Sequence, residues 1–323
     1  MAIPNRAEVL LIAERSDLSA DLVVAELTRV GVGFYRFNCD DFPQASTASW
    51  DPINKHAILT LYEKSIDLKK FTSAWYRRTP PLVQNPDIPQ SVNRFVDREI
   101  LSFLDGLWEC STVPWINRPA NASRAENKLN QLSLAHDLGF CLPRTMVTNN
   151  PAMARSFVSA VPSAVVKSLT GGRLILLEDT WRLYTHTVSR ANLDAGAPIQ
   201  CAPCILQERI NKRSDIRITV IGNNIYSAEI ITGENQDVDW RAVDPAAITY
   251  RRHRIEVDLA ERCQMMLSRL GLTYGAFDFI LTPQGKYVFL ELNPAGQWGW
   301  IEHELEYLIT ESIVQHLIRT KFE

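Results

Sequence analysis

The fold of this chain is decided by the stretch Gly275-Ala-Phe-Asp-Phe-Ile-Leu-Thr-Pro-Gln-Gly-Lys-Tyr-Val-Phe-Leu-Glu-Leu-Asn-Pro294. Two apolar, aromatic-rich runs flank a Pro-Gln-Gly-Lys segment at 283–286, which predicts a β-hairpin. Inside these runs stand three side chains that offer oxygen ligands, Asp278, Glu291 and Asn293. A buried carboxylate is costly unless a cation or a partner compensates it. The hairpin therefore predicts a cation site, and a surface hairpin with solvated acids is the alternative.

The pairing register of the hairpin decides whether these ligands meet. Glu291 and Asn293 are two residues apart, so a strand directs both side chains to one face. A two-residue turn at Gln284-Gly285 would place Asp278 opposite Glu291, whereas a three-residue loop with a bulge would shift the register by one. Facing carboxylates repel, and a divalent metal converts that repulsion into chelation. Ligands that are all oxygens favour Mg²⁺ or Mn²⁺ over zinc.

The composition is that of an ordinary globular protein, with 323 residues, 46% hydrophobic and 22% charged, and a net charge of -3. A general nucleic-acid binder would carry a basic face, so that class is excluded. No apolar run approaches the length that spans a membrane, and the N-terminus shows no signal-peptide pattern. Six scattered cysteines indicate reduced thiols, and Cys201-Ala-Pro-Cys204 lacks the second pair that a zinc site needs. We expect a cytoplasmic protein without nucleic-acid or membrane partners.

Three regions follow one another along the chain. Residues 1–115 alternate strand-like and helix-like segments, with strands expected at 9–12, 33–37 and 58–62 and helices at 19–30 and 90–107. In residues 116–204, Ser123 and Glu126 form a capping-box pattern that predicts the start of a helix ending at Gly139. In residues 205–323 we expect a long loop at 233–254, helices at 260–270 and 309–318, and the hairpin between those helices.

Two lysines occur where phosphate binding is chemically favoured. Lys128 lies near the start of the predicted helix, and Lys167 ends a β-branched strand before Gly171-Gly172. An ammonium group meets phosphate charge, and glycines let backbone N–H groups approach. The pattern lacks the Gly-x4-Gly-Lys-Ser/Thr of a P-loop, so each lysine taken alone is more often structural.

A polar pair occupies the strand expected at 215–221, which follows another strand at 205–208. Asp215 and Arg217 are two residues apart and share one face of that strand. A guanidinium group in such a position suits a phosphate or a carboxylate. The alternative is an ordinary ion pair on the surface of the strand.

Taken in chain order, these residues resemble the ATP-grasp superfamily. Over nearly the whole chain the resemblance extends to the ATP-grasp ribosomal peptide maturases, the graspetide ligases that include the microviridin enzymes. The ordered residues are Lys128, Lys167 with its Gly-rich loop, Gln207-Glu208, Asp215-x-Arg217, Asp278 and Glu291-x-Asn293. The family-like segments are Trp75-Tyr-Arg-Arg78, Ala125-Glu-Asn-Lys-Leu129, Pro143-Arg-Thr145 with Thr148-Asn149, Asp239-Trp-Arg241 and Glu291-Leu-Asn-Pro-Ala-Gly-Gln-Trp298.

The resemblance implies an α/β ATP-grasp fold. An N-terminal pre-ATP-grasp α/β domain, 1–115, would precede central and C-terminal α+β subdomains, 116–204 and 205–323, that enclose the nucleotide. The implied activity is that of an ADP-forming ligase that uses ATP and Mg²⁺. It would activate Asp or Glu side chains of a precursor peptide with a leader segment as acyl-phosphates. A Ser/Thr hydroxyl or Lys amine of the same peptide would then give an ω-ester or ω-amide.

The same resemblance implies a role for each matched residue. The metal ligands would be Asp278, Glu291 and Asn293. Arg217 would stabilise charge on the transferring phosphoryl group, and Arg77 and Arg78 would grip the acceptor carboxylate. The residues that hold the nucleotide would be Lys128, Lys167, Gly171, Gly172, Gln207, Glu208, Ile210 and Asp215.

Two other functions stay open at this point. A ligase of the same superfamily that acts on a free amino acid or a protein tail would use the same ATP machinery. A non-catalytic nucleotide-binding scaffold is the third option, although it has no need of three buried oxygen ligands. A stretch of acids either receives basic leader residues or forms a solvated loop, and its members are Glu234, Asp237, Asp239 and Asp244. If the chain oligomerises, we expect a homodimer.

Overall fold

The computed structural model describes residues 8–61, 64–77, 88–170, 173–176, 179–182, 185–194, 199–233 and 239–319. These residues form three successive groups of strands and helices, which confirms the expected mixed α/β class. None of the helices in these ranges is long and apolar enough to cross a membrane.

The N-terminal group combines two sheets. Its elements are β1 (Glu8–Ala13), α1 (Leu18–Arg29), β2 (Gly33–Asn38), β3 (Ser46–Asp51), β4 (His56–Leu61), β5 (Lys64–Asp67), β6 (Ser73–Tyr76), α2 (Gln90–Cys110) and β7 (Trp115–Ile116). Strands β2, β1, β6 and β7 form a parallel sheet in that order. The expected strand near 58–62 is β4, which pairs with β3 and β5 in a separate antiparallel sheet. The other strands and helices expected in this region are confirmed.

The central group forms an antiparallel sheet in the order β12-β9-β13-β8. Its elements are α3 (Pro119–Glu126), α4 (Lys128–Asp137), β8 (Thr145–Thr148), α5 (Pro151–Ser159), β9 (Ala164–Lys167), β10 (Arg173–Leu176), β11 (Asp179–Arg182), β12 (His186–Val188), α6 (Arg190–Asp194) and β13 (Cys204–Glu208). The predicted capping box is wrong, because Ser123 lies inside α3. Asn127 instead starts a new helix by accepting a hydrogen bond from the backbone N–H of Asn130 at 3.0 Å. Lys128 is therefore the first residue of α4.

The C-terminal group is built on a five-stranded antiparallel sheet in the order β16-β15-β14-β17-β18. Its elements are β14 (Ser214–Ile221), β15 (Asn224–Ile231), β16 (Thr249–Arg252), α7 (Val257–Leu270), β17 (Tyr274–Leu281), β18 (Tyr287–Asn293), α8 (Gly299–Leu305) and α9 (Ile309–Arg319). The prediction of a loop over 233–254 is wrong near its end, because residues 249–252 form the edge strand β16. The expected helices and the hairpin are confirmed.

The C-terminal sheet is apolar on one face and polar on the other. Phe277, Phe279 and Phe289 point into a core shared with α7 and α4. Period-two alternation along β14 and β17 leaves Arg217 and Asp278 on the opposite face. A second core joins α1 and β1 to Trp298 and α9, so the N-terminal and C-terminal groups are packed together.

The sheets also bear on the predicted domain division. The points after residues 115 and 204 fall within β7 and β13, respectively. Strand β7 pairs with β6, and β13 pairs with β8 and β9. The division into 1–115, 116–204 and 205–323 stays a prediction.

Candidate active site

The β17–β18 hairpin reaches the expected register by a different route. Its turn has three residues rather than two: the N–H of Thr282 donates to the carbonyl of Lys286 at 2.9 Å, and Gly285 has φ +80°. Of the two turns considered, the structure therefore has the three-residue one. A β-bulge at Leu290 then restores the register, because Phe279 pairs with Phe289 whereas Asp278 pairs with Glu291.

The bulge also sets which side chains reach the polar face. Strict alternation would place Glu291 on the same face as Phe289, which is buried in the core. The extra residue lets Leu290 and Glu291, consecutive in sequence, both line one cavity. Leu292 returns to the core. The carboxylates of Asp278 and Glu291 therefore face each other because of the bulge.

This cavity has a volume of about 340 Å³ and lies between the central and C-terminal sheets. Strands of both sheets contribute to it, which brings together residues far apart in sequence. Those that the sequence predicted are Lys167, Gln207, Glu208, Ile210, Asp215, Arg217, Asp278 and Glu291. The residues missed as site residues are Val165, Thr185, Arg209, Asn211, Lys212, Asp239, Trp240, Arg241, Phe279, Ile280 and Leu290.

Two ion pairs hold the facing carboxylates. The Nη1 of Arg217 donates to both oxygens of Asp278 at 2.9 and 2.8 Å, across neighbouring strands in register. The Nζ of Lys128 donates to Glu291 at 2.7 Å. Burial raises the pKa of Asp278 to about 6, although the attraction of Arg217 opposes this. Burial acts on Glu291 as well, but the charges of Lys128, Arg241 and Lys167 outweigh it and lower the pKa to about 2.

The donor set fits a hard divalent cation. Two facing carboxylates are present, and burial raises the pKa of Asp278 although Arg217 is bound to it. The described residues contain no cluster of three or more His, Cys, Asp or Glu side chains that could hold a metal ion. Asn293, at the end of β18, is not part of the cavity lining, and its amide oxygen accepts a hydrogen bond from the N–H of Ala295 at 3.0 Å. Its role as a third ligand stays a prediction. An all-oxygen set of this kind suits Mg²⁺.

The pKa of Asp278 gives the metal site a predictable pH dependence. A cation binds the carboxylate form, so a proton competes with it. We expect Mg²⁺-dependent nucleotide affinity to be flat above the Asp278 pKa of about 6 and to fall below it, by roughly tenfold per pH unit. Calorimetric titrations of MgADP on either side of that pH measure the profile. The Asp278→Asn protein should not show this fall in affinity at low pH. Identical pH profiles for the two proteins would contradict the assignment of Asp278 as a metal ligand.

The predicted nucleotide-binding residues that line this cavity are Lys167, Gln207, Glu208, Ile210 and Asp215, whereas Lys128 is not part of its lining. Lys167 ends β9 opposite Ile205 of the neighbouring strand β13, two residues before Gln207. Burial lowers the pKa of Lys167, and the nearby charges of Glu291 and Asp239 oppose that shift. Gly171 and Gly172 lie outside the described residues, so their predicted contact with phosphate stays a prediction.

Asp215 is tied to a lysine that the sequence analysis did not single out. The Nζ of Lys212 donates to Asp215 at 2.7 Å, and both side chains are buried at the cavity wall. Burial raises the pKa of Asp215, and the charge of Lys212 opposes the rise. The Lys-x-x-Asp spacing at the start of the strand is the sequence pattern that could have indicated this ion pair.

We expect Lys128→Ala and Lys167→Ala each to weaken nucleotide binding. One charge-assisted contact is worth about 1.5–3 kcal/mol, roughly a 10- to 150-fold change in affinity. Lys69→Ala is a suitable control, because Lys69 lies on the surface of the N-terminal group. Unchanged ADP affinity in both site variants, measured by calorimetry, would overturn the phosphate assignment.

The structure places Arg77 away from the cavity. Its side chain is 1% exposed, and its Nη1 donates to the carbonyls of Ala295 and Gly296 at 2.9 and 3.2 Å. Its Nε donates to Asp17 at 3.2 Å. The predicted contact of Arg77 with a substrate carboxylate is therefore wrong for this geometry. Its guanidinium donates to main-chain carbonyls and to Asp17 instead. Arg78 lies outside the described residues.

Arg241 is the arginine that reaches the cavity instead. It forms a bidentate pair with Asp239, from Nε at 2.8 Å and from Nη2 at 2.7 Å, and its side chain stays 50% exposed. Asp239, suggested as a leader contact, is therefore buried in this pair. Asp244 accepts a hydrogen bond from the N–H of Ala246. Glu234 and Asp237 lie outside the described residues.

Comparisons with known proteins agree with this fold. Residues 8–123 match the family model described as the MvdD pre-ATP grasp domain. The macrocyclase MdnC from Microcystis aeruginosa MRC, solved bound with precursor peptide MdnA, is 25% identical. Its TM-score is 0.86 over 96% of this chain and 99% of that one. No curated protein sequence matches the chain.

Two further structures share the fold. A RiPP-associated ATP-grasp ligase of Chryseobacterium gregarium, in complex with ADP and a leader and core peptide, is 26% identical. Its TM-score is 0.85 over 97% of this chain and 96% of that one. The ATP-grasp ligase PsnB, complexed with a phosphomimetic variant of minimal precursor, Mg and ADP, is 20% identical. Its TM-score is 0.80, with coverage of 97% and 98%.

The fold is that of the ATP-grasp ligases, to which these solved structures belong. Within that class, the resemblance to the ATP-grasp ribosomal peptide maturases that its sequence indicated is confirmed.

Proposed function

We propose that this chain is an ATP-dependent ligase that crosslinks a ribosomal precursor peptide through activated Asp or Glu side chains. One observation supports this above all others: two facing carboxylates and four cationic side chains converge on one cavity between two sheets. Lys167, Arg217 and Arg241 line the cavity, and Lys128 reaches it through its pair with the lining residue Glu291. Such a site accepts a polyphosphate with its metal.

The reaction has two steps with balanced atoms. A carboxylate oxygen of the peptide attacks the γ-phosphorus of ATP, the bond to the β-γ bridging oxygen breaks, and ADP leaves. A hydroxyl or amine of the same peptide then attacks the acyl carbon. Inorganic phosphate leaves and a proton is released, giving an ω-ester or ω-amide. Each crosslink therefore removes one water from the peptide.

The position of each residue in the cavity determines its proposed role in this reaction. Lys128 and Lys167 neutralise phosphate charge, and Gln207, Glu208 and Ile210 form the wall that receives the nucleoside. Arg217 faces the centre of the cavity and stabilises the transferring phosphoryl group. Asp278, Glu291 and Asn293 would hold Mg²⁺ or Mn²⁺, whose chemistry when bound is to screen the charge of the phosphate oxygens.

Arg241 is the proposed contact for the acceptor carboxylate. Its side chain is half exposed at the cavity wall, whereas Arg217 is 9% exposed and deeper. Arg241→Ala should therefore raise the KM for peptide more than the Kd for MgADP. The reverse ranking would assign Arg241 to the nucleotide.

The proposal is tested with the purified enzyme, ATP, Mg²⁺ and the precursor peptide encoded beside its gene. The peptide should lose one water mass per bond, with one ADP and one phosphate formed for each. AMP with pyrophosphate would mean adenylation and a different mechanism. ATP consumption with ligation of a free amino acid and no mass loss in the peptide would establish the alternative ligase.

Other parts of the proposal concern the setting of the enzyme. A leader segment would bind outside the cavity, and its contacts stay open. All six cysteines lie in the described ranges as free thiols, which supports a reducing, cytoplasmic setting. A homodimer is supported by an exposed apolar stripe on α2, formed by Val92, Phe95, Val96 and Phe103. Light scattering of the wild type and of Phe95→Asp tests it.

A further inference from the structure

The metal-ligand segment 291–296 is held from outside its own sheet. Strand β18 is an edge strand, so one row of its N–H and carbonyl groups faces away from β17. Further contacts come from α4, from the linker before α3 and from the N-terminal sheet. Each contact is a buried side chain that bonds main-chain atoms of this segment.

Gln131 of α4 takes the place of a strand partner. Its Oε1 accepts from the N–H of Leu292 at 2.9 Å, and its Nε2 donates to the carbonyl of Leu292 at 2.7 Å. Leu292 stands between the ligands Glu291 and Asn293. Lys128, which binds Glu291, lies one helical turn before Gln131 on the same helix. Gln131 therefore holds the main chain between Glu291 and Asn293, and it does so from the helix that also carries Lys128.

Asn117 holds the next residue of the segment. Its Nδ2 donates to the carbonyls of Pro294 and Tyr274, both at 2.9 Å. Its Oδ1 accepts from the N–H groups of Thr273 and Tyr274 at 2.8 and 3.0 Å. The amide is 2% exposed and ties the start of β17 to the end of β18.

Arg77 completes the set from the N-terminal sheet. Its bonds to the carbonyls of Ala295 and Gly296 follow directly after Asn117's bond to Pro294. The guanidinium lies 5.5 Å from the ring centre of Trp75 and 5.1 Å from that of Trp298. A Cβ at Gly296 would approach the Cβ of Ala276 to 2.5 Å, so the segment is pressed onto β17 with no room to shift.

From these contacts we infer that Gln131, Asn117 and Arg77 are positioning residues for the metal ligands. The inference rests on the proposed Mg²⁺-nucleotide site. Their partners are main-chain atoms between Glu291 and Asn293 and directly after Asn293. These bonds set the direction of the ligand side chains, and they make the metal site depend on the linker and the N-terminal sheet.

The first test uses Gln131→Met, which keeps the volume and removes the amide. Calorimetry with ADP measures binding with and without Mg²⁺. We expect MgADP affinity to fall at least tenfold and the half-saturating Mg²⁺ concentration to rise by a similar factor. Metal-free ADP affinity should change less than threefold. Tyr226→Phe, which removes hydrogen bonds to Ser312 and Leu308 away from the cavity, is the control for general destabilisation.

A second variant keeps the test decisive if Gln131→Met does not fold. Arg77→Lys retains the charge but loses the planar fork that spans two carbonyls. It should raise the Mg²⁺ requirement in the same direction.

Amide exchange of the ligand-free protein should speed up at least tenfold over 288–298 in Gln131→Met. If every variant shows the Mg²⁺ requirement of the Tyr226→Phe protein, the positioning role is overturned. Wild-type protein that binds MgADP but modifies no peptide would overturn the proposed function alone.

Discussion

Glu291→Gln should abolish ATP-dependent peptide modification while the protein stays folded. The change removes the charge that faces Asp278 and pairs with Lys128 at 2.7 Å, but it keeps the shape of the side chain. Loss of a ligand for a charge-screening cation should lower kcat by at least about a thousandfold, equivalent to about 4 kcal/mol of transition-state stabilisation. ADP release in a coupled assay and peptide mass measure the effect.

The matched control for this variant is Glu261→Gln. Glu261 is exposed on α7, on the far side of the sheet from the cavity. It should have wild-type kcat and thermal stability. Near-wild-type turnover of Glu291→Gln would remove the basis for the metal assignment, whereas loss of folding would be visible in the circular dichroism spectrum.

Arg217→Ala should lower kcat by about 10²–10³-fold, the usual effect of removing one preorganised donor from a developing negative charge. In the described part of the chain, the buried Nε of Arg217 has no acceptor. The guanidinium can therefore donate a further hydrogen bond in addition to those it makes to Asp278. The Kd for MgADP should change much less than kcat, because the effect belongs to the transition state.

Two companions make the Arg217 result interpretable. Arg217→Lys keeps a charge beside Asp278 and should recover part of the rate. Arg213→Ala removes an exposed arginine at the start of the same strand, and it should leave kcat unchanged. Equal losses of kcat and MgADP affinity in Arg217→Ala would show that this residue acts in ground-state binding.

The extent of the agreement between sequence and structure differs from element to element. Strands and helices with strong periodicity, such as β1 and α7, were predictable because their patterns are local. The break between α3 and α4 was not, because an Asn cap inside a helical pattern competes with a Ser capping box one turn earlier. Strand β16 was missed because its polar sequence gains its place only by pairing with β15.

The same contrast holds within the site. Asp278 and Glu291 were predictable because carboxylates inside apolar strands need compensation. Arg241 was named only as part of a family-like segment, since its distance from the hairpin in sequence gives no sign that it reaches the cavity. Arg77 was misassigned because an arginine next to aromatic residues has the same sequence pattern whether it meets a ligand or a main-chain carbonyl.

The bulge at Leu290 has a consequence for insertions and deletions in the hairpin. The three-residue turn and the extra strand residue each displace the pairing by one step, in opposite directions. Removing Gly285 would leave Thr282 and Lys286 as the residues that flank the turn, so every pair of the hairpin, including Asp278 with Glu291, would be kept. An extra residue inserted between Tyr287 and Val288, with the bulge retained, would instead place Leu290 opposite Asp278. The Gly285 deletion should therefore keep activity, whereas the insertion should inactivate the enzyme.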